Sequence, residues 1–295
     1  MDAVIARLKH NRPALSASSL RTYSSIIMNL YKKLNGTGDV TKFLGTNIPK
    51  IFDFLKDEAV NVRKTKLAVL ISLFHDDYDL TKIRALMLED ANKYNQQLRS
   101  QEMTPKQKEN WIGLDGVRKV YHELYKRNAP LLKKDRLTKR EYKDCLDLIL
   151  LSLYVLIPPR RSQDFSLMKI RNFEKNDNYY DGKAFHFNRY KTAKTYGEQI
   201  IKPTRKLKLL LDKWILHNTG DYILSTFDGL PLPVSKMTVY LNNIFGMRIS
   251  TTMLRHIYIS DEVLKNMPAL SELDKVAEQM GHSVQEQIGT YKKID

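Results

Sequence analysis

The sequence is poor in the residues that build covalent or metal-based scaffolds. It contains one cysteine, Cys145, in 295 residues, which excludes a disulfide framework and a zinc site made of several thiolates. It also lacks a glycine-rich phosphate loop and a cluster of carboxylates or histidines at metal-ligand spacing. We therefore expect this protein to use no metal and no cofactor.

Long apolar runs are also missing. The longest, residues 146–157, includes Asp147 and is well short of the roughly 20 residues that span a bilayer. It predicts a buried helix instead. The first residues contain no apolar segment typical of a secretory signal. Together these absences predict an intracellular protein without a membrane partner.

Acidic residues are scarce relative to basic ones. There are 33 Asp and Glu against 49 Lys and Arg, which gives a net charge of +16. Hydrophobic and charged fractions of 42% and 28% are ordinary for a globular protein with real cores. Such an excess of positive charge favours a polyanionic partner, most often nucleic acid, with nonspecific affinity alone as the alternative.

The first hundred residues show helical spacing of apolar residues. Helices are predicted after a cap at Ser16 or Ser18, around residues 51–55, after the cap Asn61 and over residues 81–101. Their basic side chains are interpreted as a solvated surface. This part of the chain is therefore expected to be entirely helical.

A polar stretch at residues 103–110 holds a proline and lacks apolar periodicity, which is typical of an interdomain linker. We place a helical domain at residues 1–104, a linker at 105–110 and a second domain at 111–295. A chain of this length is expected to form two domains.

The second domain has a mixed pattern. Thr138 and Glu141 form a capping box that opens a long apolar helix ending before Pro158. Residues 184–190 are expected to pair with residues 198–202 in a hairpin. Further helices are predicted over residues 204–217 and after Ser235, Ser250 and Ser271. The fold class predicted for the chain is mainly α with a small antiparallel β-sheet.

Charged residues follow the apolar helix and enter the hairpin. Arg160 and Arg161 come directly after the helix, and Asp164 is expected to pair with the Arg161 guanidinium and fix it in place. Lys191 and Lys194 lie in the hairpin, where a lysine on a short turn can act as a mobile proton donor. Taken singly, a surface ion pair and solvated lysines are the ordinary interpretation.

Two motifs near the C-terminus complete the set of candidates. The segment TTMLRH contains Thr252, Arg255 and His256 early in a predicted helix, and GHSVQEQIGTY places Tyr291 nine residues after His282. A tyrosine can act as a nucleophile toward a phosphate when nearby groups stabilise the developing charge.

Taken together, these motifs resemble the tyrosine recombinase (phage integrase) family over nearly the whole chain. Residues 281–291 keep the Gly-His-Ser of the family and the spacing to its tyrosine. The family's His-x-Leu-Arg-His box is matched from Leu254 onward, with Thr252 in place of the first histidine. Arg161 and Asp164 match the family's arginine with an acidic residue three positions later.

The resemblance also implies a role for each candidate. Tyr291 would attack a DNA phosphate and form a 3′-phosphotyrosyl link, while Arg161 and Arg255 neutralise the charge that develops. His282 would donate a hydrogen bond to the phosphate. The general acid is Lys191, preferred because it closes the first hairpin strand, with Lys194 as the alternative. Weaker candidates are Thr252, which can donate but carries no charge, together with Asp164, His256 and Arg160.

The family further implies two domains that form a clamp on double-stranded DNA. The helical domain would be the core-binding domain and the second, α+β domain would be catalytic. Strand exchange implies a tetramer on inverted-repeat sites. The form of the first motif resembles versions in mobile elements and in large DNA viruses of eukaryotes, which places the protein at DNA in a host nucleus, or otherwise in the cytoplasm or nucleoid.

The sequence leaves three alternatives open. A type IB topoisomerase or a telomere-resolving enzyme would use the same chemistry. A catalytically silent DNA-binding protein of the same fold would be consistent with Thr252, although it would have no need of Tyr291.

Overall fold

The computed structural model describes residues 1–75, 77–281 and 283–288. These residues are mostly helical, with a three-stranded antiparallel sheet, which confirms the predicted fold class. Within the same residues, no helix is both long enough and apolar enough to cross a membrane.

The chain divides into two compact units. One comprises Met1–Glu102 together with the described residues from Pro268 onward, and the other is Met103–Met267. The ranges expected from the sequence, 1–104, 105–110 and 111–295, stay a prediction. They differ from the compact units in two respects, since the described C-terminal residues group with the first unit and the residues predicted as a linker belong to the second.

The N-terminal part of the first unit is helical throughout. Ser16 caps its second helix by accepting a hydrogen bond from the Ser19 amide at 3.1 Å. The predicted cap at Asn61 is wrong, because the helix begins at Val60 and the position before it is Ala59. The helices are α1 (Asp2–Asn11), α2 (Ala17–Lys33), α3 (Val40–Thr46), α4 (Ile48–Leu55), α5 (Val60–Phe74) and α6 (Thr81–Arg99).

The residues predicted as a linker form a short helix, Pro105–Asn110. Thr104 and Gln107 make a complete capping box, and a proline at the first helical position suits this start. This helix opens the second unit, whose helices are α7 (Pro105–Asn110), α8 (Gly113–Asn128), α9 (Lys139–Val155), α10 (Ser162–Ser166), α11 (Ala193–Tyr196), α12 (Arg205–His217), α13 (Val234–Phe245) and α14 (Thr251–Tyr258).

The second unit is built around α9. The capping box of Thr138 and Glu141 opens this helix as predicted, and nearly every residue from Tyr142 to Tyr154 is buried. Helices α8, α12 and α13 pack on it, with Trp214 fully buried in the shared core. A short helix 129–133 follows α8, and a π-helical turn, Ile259–Val263, follows α14.

The sheet lies between α10 and α12 in the chain. Its strands are β1 (Tyr179–Tyr180), β2 (Phe185–Phe187) and β3 (Gln199–Ile201), in the order β1-β2-β3. Phe185 pairs with Ile201 and Phe187 with Gln199, both antiparallel. The predicted hairpin is therefore present, with shorter strands and with α11 inside the connection.

The described C-terminal residues complete the first unit. They form α15 (Leu270–Met280) and α16 (Val284–Glu286). The Gln101 side chain accepts a hydrogen bond from the Leu270 amide at 2.8 Å, which caps α15 from a distant part of the chain. Arg99 pairs with Asp274 at 2.6 Å, so α15 is tied to the end of α6.

Candidate active site

The end of α9 sets the position of the two adjacent arginines. Because this helix is buried along most of its length and two prolines follow it, the chain leaves the core at a fixed point in an extended conformation. Arg161 then occupies the position before α10, with φ −68° and ψ 150°. Successive side chains of an extended segment point to opposite sides, so Arg160 and Arg161 have different surroundings.

Arg160 is held by four contacts. Its Nε donates to Asp164 Oδ2 at 3.0 Å and its Nη1 donates to Gln199 Oε1 at 2.8 Å. The guanidinium carbon lies 3.8 Å from the ring centre of Phe187 and 5.1 Å from that of Tyr190. Arg160 therefore ties the start of α10 to strands β2 and β3.

The expected pairing of Asp164 with Arg161 is wrong, because Asp164 pairs with Arg160. The two partners lie four residues apart, and the extended backbone at Arg161 turns its side chain to the other side. Asp164 itself is buried, and burial raises the pKa of its carboxyl in spite of the opposing charges of the two arginines. Its Oδ1 has no hydrogen-bond partner among the described residues.

A hydrogen bond joins the elements that carry Arg161 and Arg255. The hydroxyl groups of Ser162, at the start of α10, and Thr251, at the start of α14, are 2.7 Å apart. Helix α14 begins after Ser250 as predicted, and the Ser250 hydroxyl caps it by accepting a hydrogen bond from the Met253 amide at 3.2 Å. Arg255 lies four residues after Thr251, about one turn further along α14.

The charges of both Asp164 and Arg255 act on the buried hydroxyl of Tyr154 on α9. Burial raises the pKa of its hydroxyl, the Asp164 carboxylate raises it further, and the Arg255 guanidinium opposes the rise. The charge of Arg161 in turn acts on Asp164. The Ser162–Thr251 hydrogen bond thus brings the elements that carry Arg161 and Arg255 to one part of the second unit.

Both Arg161 and Arg255 are partly buried. Within the part of the chain that the structure describes, neither guanidinium has a hydrogen bond or an ion pair. Arginines in such a setting normally have a carboxylate partner, as Arg160 has. Two partly buried guanidinium groups without one are suited to bind an anion that comes from outside the protein.

The hairpin lysines are exposed and lie outside the strands. Strand β2 ends at Phe187, so Lys191 belongs to the turn before α11, and the expectation that it closes the strand is wrong. Lys194 lies within α11. The Tyr190 hydroxyl closes the base of this connection by donating to the Gly197 carbonyl at 2.7 Å. The choice between the two lysines stays a prediction.

Thr252 and His256 share a face of α14, since they are four residues apart on the helix. Both are exposed and line a cavity of about 380 Å³. Arg255 is not among the residues that line it. Helix α14 therefore presents the arginine and the Thr252 face in different directions.

The predicted nucleophile Tyr291 and the predicted donor His282 lie outside the described residues. Their roles stay predictions from the sequence. Among the described side chains, Cys145 is excluded as a nucleophile, because burial raises the pKa of its thiol to about 12. The same part of the chain contains no group of three metal-ligating side chains.

The arginine contacts could be read only in part from the sequence. The stacking of Arg160 on aromatic rings and its bond to Gln199 left no signal, because Gln199 is 39 residues away in the chain. Phe187 is fully buried and lies under the Arg160 guanidinium, and its place in the predicted hairpin did not mark it as the ring on which this arginine stacks.

Solved structures similar to this chain are those of tyrosine recombinases. A crystal structure of XerA recombinase has a TM-score of 0.37 and 10% identity, covering 100% of this chain and 94% of that chain. A lambda integrase(75-356) dimer bound to a COC' core site has a TM-score of 0.49 and 14% identity, covering 100% and 99%. Another lambda integrase dimer on the COC' core site has a TM-score of 0.49 and 15% identity, covering 100% and 80%.

No protein-family model and no curated protein matches the chain. The structural similarities have TM-scores below 0.5 and identities of 10–15%, and they concern the fold alone.

Proposed function

We propose that this protein cuts and rejoins DNA strands as a site-specific recombinase of the tyrosine type. The observation that carries the proposal is the pair of partly buried arginines, Arg161 and Arg255, which have no anionic partner among the described residues. The bond between Ser162 and Thr251 joins the elements that bear them. Two guanidinium forks can bind two oxygens of one phosphate in fixed geometry.

The chemistry requires these groups because attack on a phosphodiester places extra negative charge on the non-bridging oxygens. The phenolic oxygen of Tyr291 bonds to phosphorus and its proton passes to water, while the bond from phosphorus to the 5′-oxygen breaks. A hairpin lysine, Lys191 or Lys194, gives a proton to that oxygen. His282 donates a hydrogen bond to the phosphate.

The covalent link conserves the energy of the phosphodiester. The 5′-hydroxyl of the same or another strand can attack the phosphotyrosine and restore the DNA backbone, so rejoining consumes no nucleotide. Rejoining to another duplex is recombination. This outcome requires a pair of sites and an assembly of several subunits, for which we propose inverted repeats and a tetramer.

The partner in this proposal is double-stranded DNA. The net charge of +16 supports it, because a polyanion attracts an excess of basic side chains whatever its base sequence. We propose that the protein acts at DNA as an integrase of a virus or mobile element, in the nucleus of a eukaryotic host or otherwise in the cytoplasm or nucleoid.

A second candidate is a DNA-binding protein of the same fold that no longer cleaves. The observation in its favour is Thr252, which is exposed on α14 one turn before Arg255. A threonine at this position can donate one hydrogen bond but cannot carry charge.

The experiment that separates the two uses nicked suicide DNA substrates in the presence of EDTA. A covalent protein–DNA adduct is expected with the wild type and with Lys108→Gln, a change to an exposed residue of α7. It is expected to be absent with Tyr291→Phe and strongly reduced with Arg255→Gln. An adduct that persists in Tyr291→Phe, or that needs a divalent metal, would contradict the proposed mechanism, and DNA binding without any adduct would favour the silent protein.

A further inference from the structure

Basic side chains line the cavity beside α14. It has a volume of about 380 Å³ and its lining includes Lys106, Arg248 and His256, with the hydroxyl groups of Ser250 and Thr252. Among the described residues, no carboxylate lines it. This volume lies within the range of about 300–1,000 Å³ that is typical of ligand sites, and the lining is suited to an anion.

The three basic side chains at the cavity lack partners. In the part of the chain that the structure describes, none of them has a hydrogen bond or an ion pair. Other basic side chains of the same unit are neutralised, as Arg118 is by Glu262 at 2.9 Å. The charges of Lys106 and Arg248 are therefore left without a compensating carboxylate among the described residues.

A buried side chain fixes the two segments that bring these charges together. Asn110 is 5% exposed. Its Nδ2 donates to the Lys106 carbonyl at 2.9 Å, and its Oδ1 accepts from the Arg248 amide at 3.0 Å. The end of α7 and the segment before α14 are thus joined through one buried side-chain amide. The backbone positions of Lys106 and Arg248 at the cavity are therefore fixed by the fold.

We propose that this cavity holds a second backbone phosphate of the DNA duplex, different from the phosphate that Arg161 and Arg255 bind. The proposal rests on the proposed function and extends it to the flanking DNA. Helix α14 presents Arg255 and the face that lines the cavity in different directions, so the two groups of cations are suited to two different phosphates.

The electrostatics of α14 also favour an anion at this end. The helix begins at Thr251, and Ser250 accepts a hydrogen bond from only one of its first amides, that of Met253. Free amides and the positive end of the helix dipole add to the charges of Lys106 and Arg248. A phosphate that is bound in the cavity would contact side chains from both joined segments.

The test compares Lys106→Gln/Arg248→Gln with Lys108→Gln. Lys108 is exposed on the same short helix but does not line the cavity, so its change removes a charge from the same neighbourhood. Both sites are exposed, and substitutions there are expected to leave the thermal unfolding temperature nearly unchanged. The DNA is a duplex that the wild type has enriched from a random-sequence library.

The first measurement is the dependence of binding on salt. The slope of log K against log salt is expected to fall by about 1 for the cavity variant and to stay unchanged for Lys108→Gln. The second uses duplexes in which one phosphate at a time is replaced by a neutral methylphosphonate. At one position, wild-type binding is expected to weaken about tenfold, and the cavity variant is expected to be indifferent to that replacement.

Several results would overturn the proposal. They are an equal loss in Lys108→Gln, a cavity variant that stays sensitive at every methylphosphonate position, or no DNA binding at all. Saturation of the cavity by inorganic phosphate at constant ionic strength, together with a flat methylphosphonate scan, would assign it to a free anion. The covalent adduct is scored separately. If the cavity variant is indifferent to one methylphosphonate but no adduct forms, the phosphate site is supported and DNA cleavage is refuted. If an adduct forms but the cavity variant stays sensitive at every position, cleavage is supported and the phosphate site is refuted.

Discussion

Replacement of Arg160 by methionine tests the buried ion pair that supports the candidate site. The pair is 3.0 Å long, and its arginine and aspartate side chains are 13% and 3% exposed. Arg160→Met leaves the Asp164 carboxylate buried without a partner, which is expected to cost about 3–5 kcal/mol of unfolding free energy. The cation–π contacts of Arg160 are worth about 2 kcal/mol. A methionine sulfur can still contact the rings of Phe187 and Tyr190, so only part of this energy is lost in the variant.

The assay is urea unfolding followed by tryptophan fluorescence. Both tryptophans, Trp111 and Trp214, belong to the second unit, so the signal reports the unit that contains Arg160. The matched control is the double variant Arg160→Met/Asp164→Leu, which removes both charges. It is expected to recover most of the loss, because a buried pair can often be replaced by apolar residues at little cost.

The pH dependence of the stability loss in Arg160→Met is a second test of this ion pair. Burial already raises the pKa of Asp164 above its ordinary value, so protonation of this carboxyl favours the folded state, and its contribution is lost as pH rises through the raised pKa. Without Arg160 the pKa rises further. The cost of Arg160→Met is therefore expected to be full at pH 7 and to shrink as the pH falls toward the ordinary carboxyl pKa of about 3.9. A cost below about 1 kcal/mol at pH 7, a cost that grows on acidification, or additive effects in the double variant would refute the account.

Three further predictions concern other residues. Asp90→Ala leaves the Arg63 guanidinium of the first unit, which is 12% exposed, without its carboxylate partner. We expect the unfolding free energy, measured by far-ultraviolet circular dichroism, to fall by about 3–5 kcal/mol, and the unfolding transition seen by tryptophan fluorescence to stay unchanged. Cys145 is expected to resist a thiol reagent at pH 8 until urea unfolds the second unit, and labelling as fast as that of free cysteine would contradict its raised pKa. Thr252→His is expected to speed adduct formation about tenfold or more, whereas equal rates would assign Thr252 to the cavity phosphate alone and not to the phosphate that is cut.

Much of the fold was determined by the sequence alone, where the deciding contacts are local. The capping box of Thr138 and Glu141, the helix start after Ser250 and a cap at Ser16, one of two serines offered, were predicted correctly. Each depends on a hydrogen bond between residues three apart, so the required groups are close in the chain. The hairpin was also predicted, because its two strands are separated by only a short stretch of chain. Short-range geometry is legible in sequence because it does not depend on what else packs nearby.

The tertiary structure alone decided which charges are paired and which are free. The sequence predicted that Asp164 pairs with Arg161, but packing against β2 and β3 made Arg160 the partner. The cavity depends on Asn110 meeting the amide of Arg248, which lies 138 residues away in the chain. Such contacts require two distant segments to be brought together by the core, and no local pattern encodes that. The sequence therefore determined which residue types are available for phosphate chemistry. Only the fold decided that Arg161 and Arg255 are partly buried and yet have no partner among the described residues, because burial and pairing depend on neighbours from the whole unit.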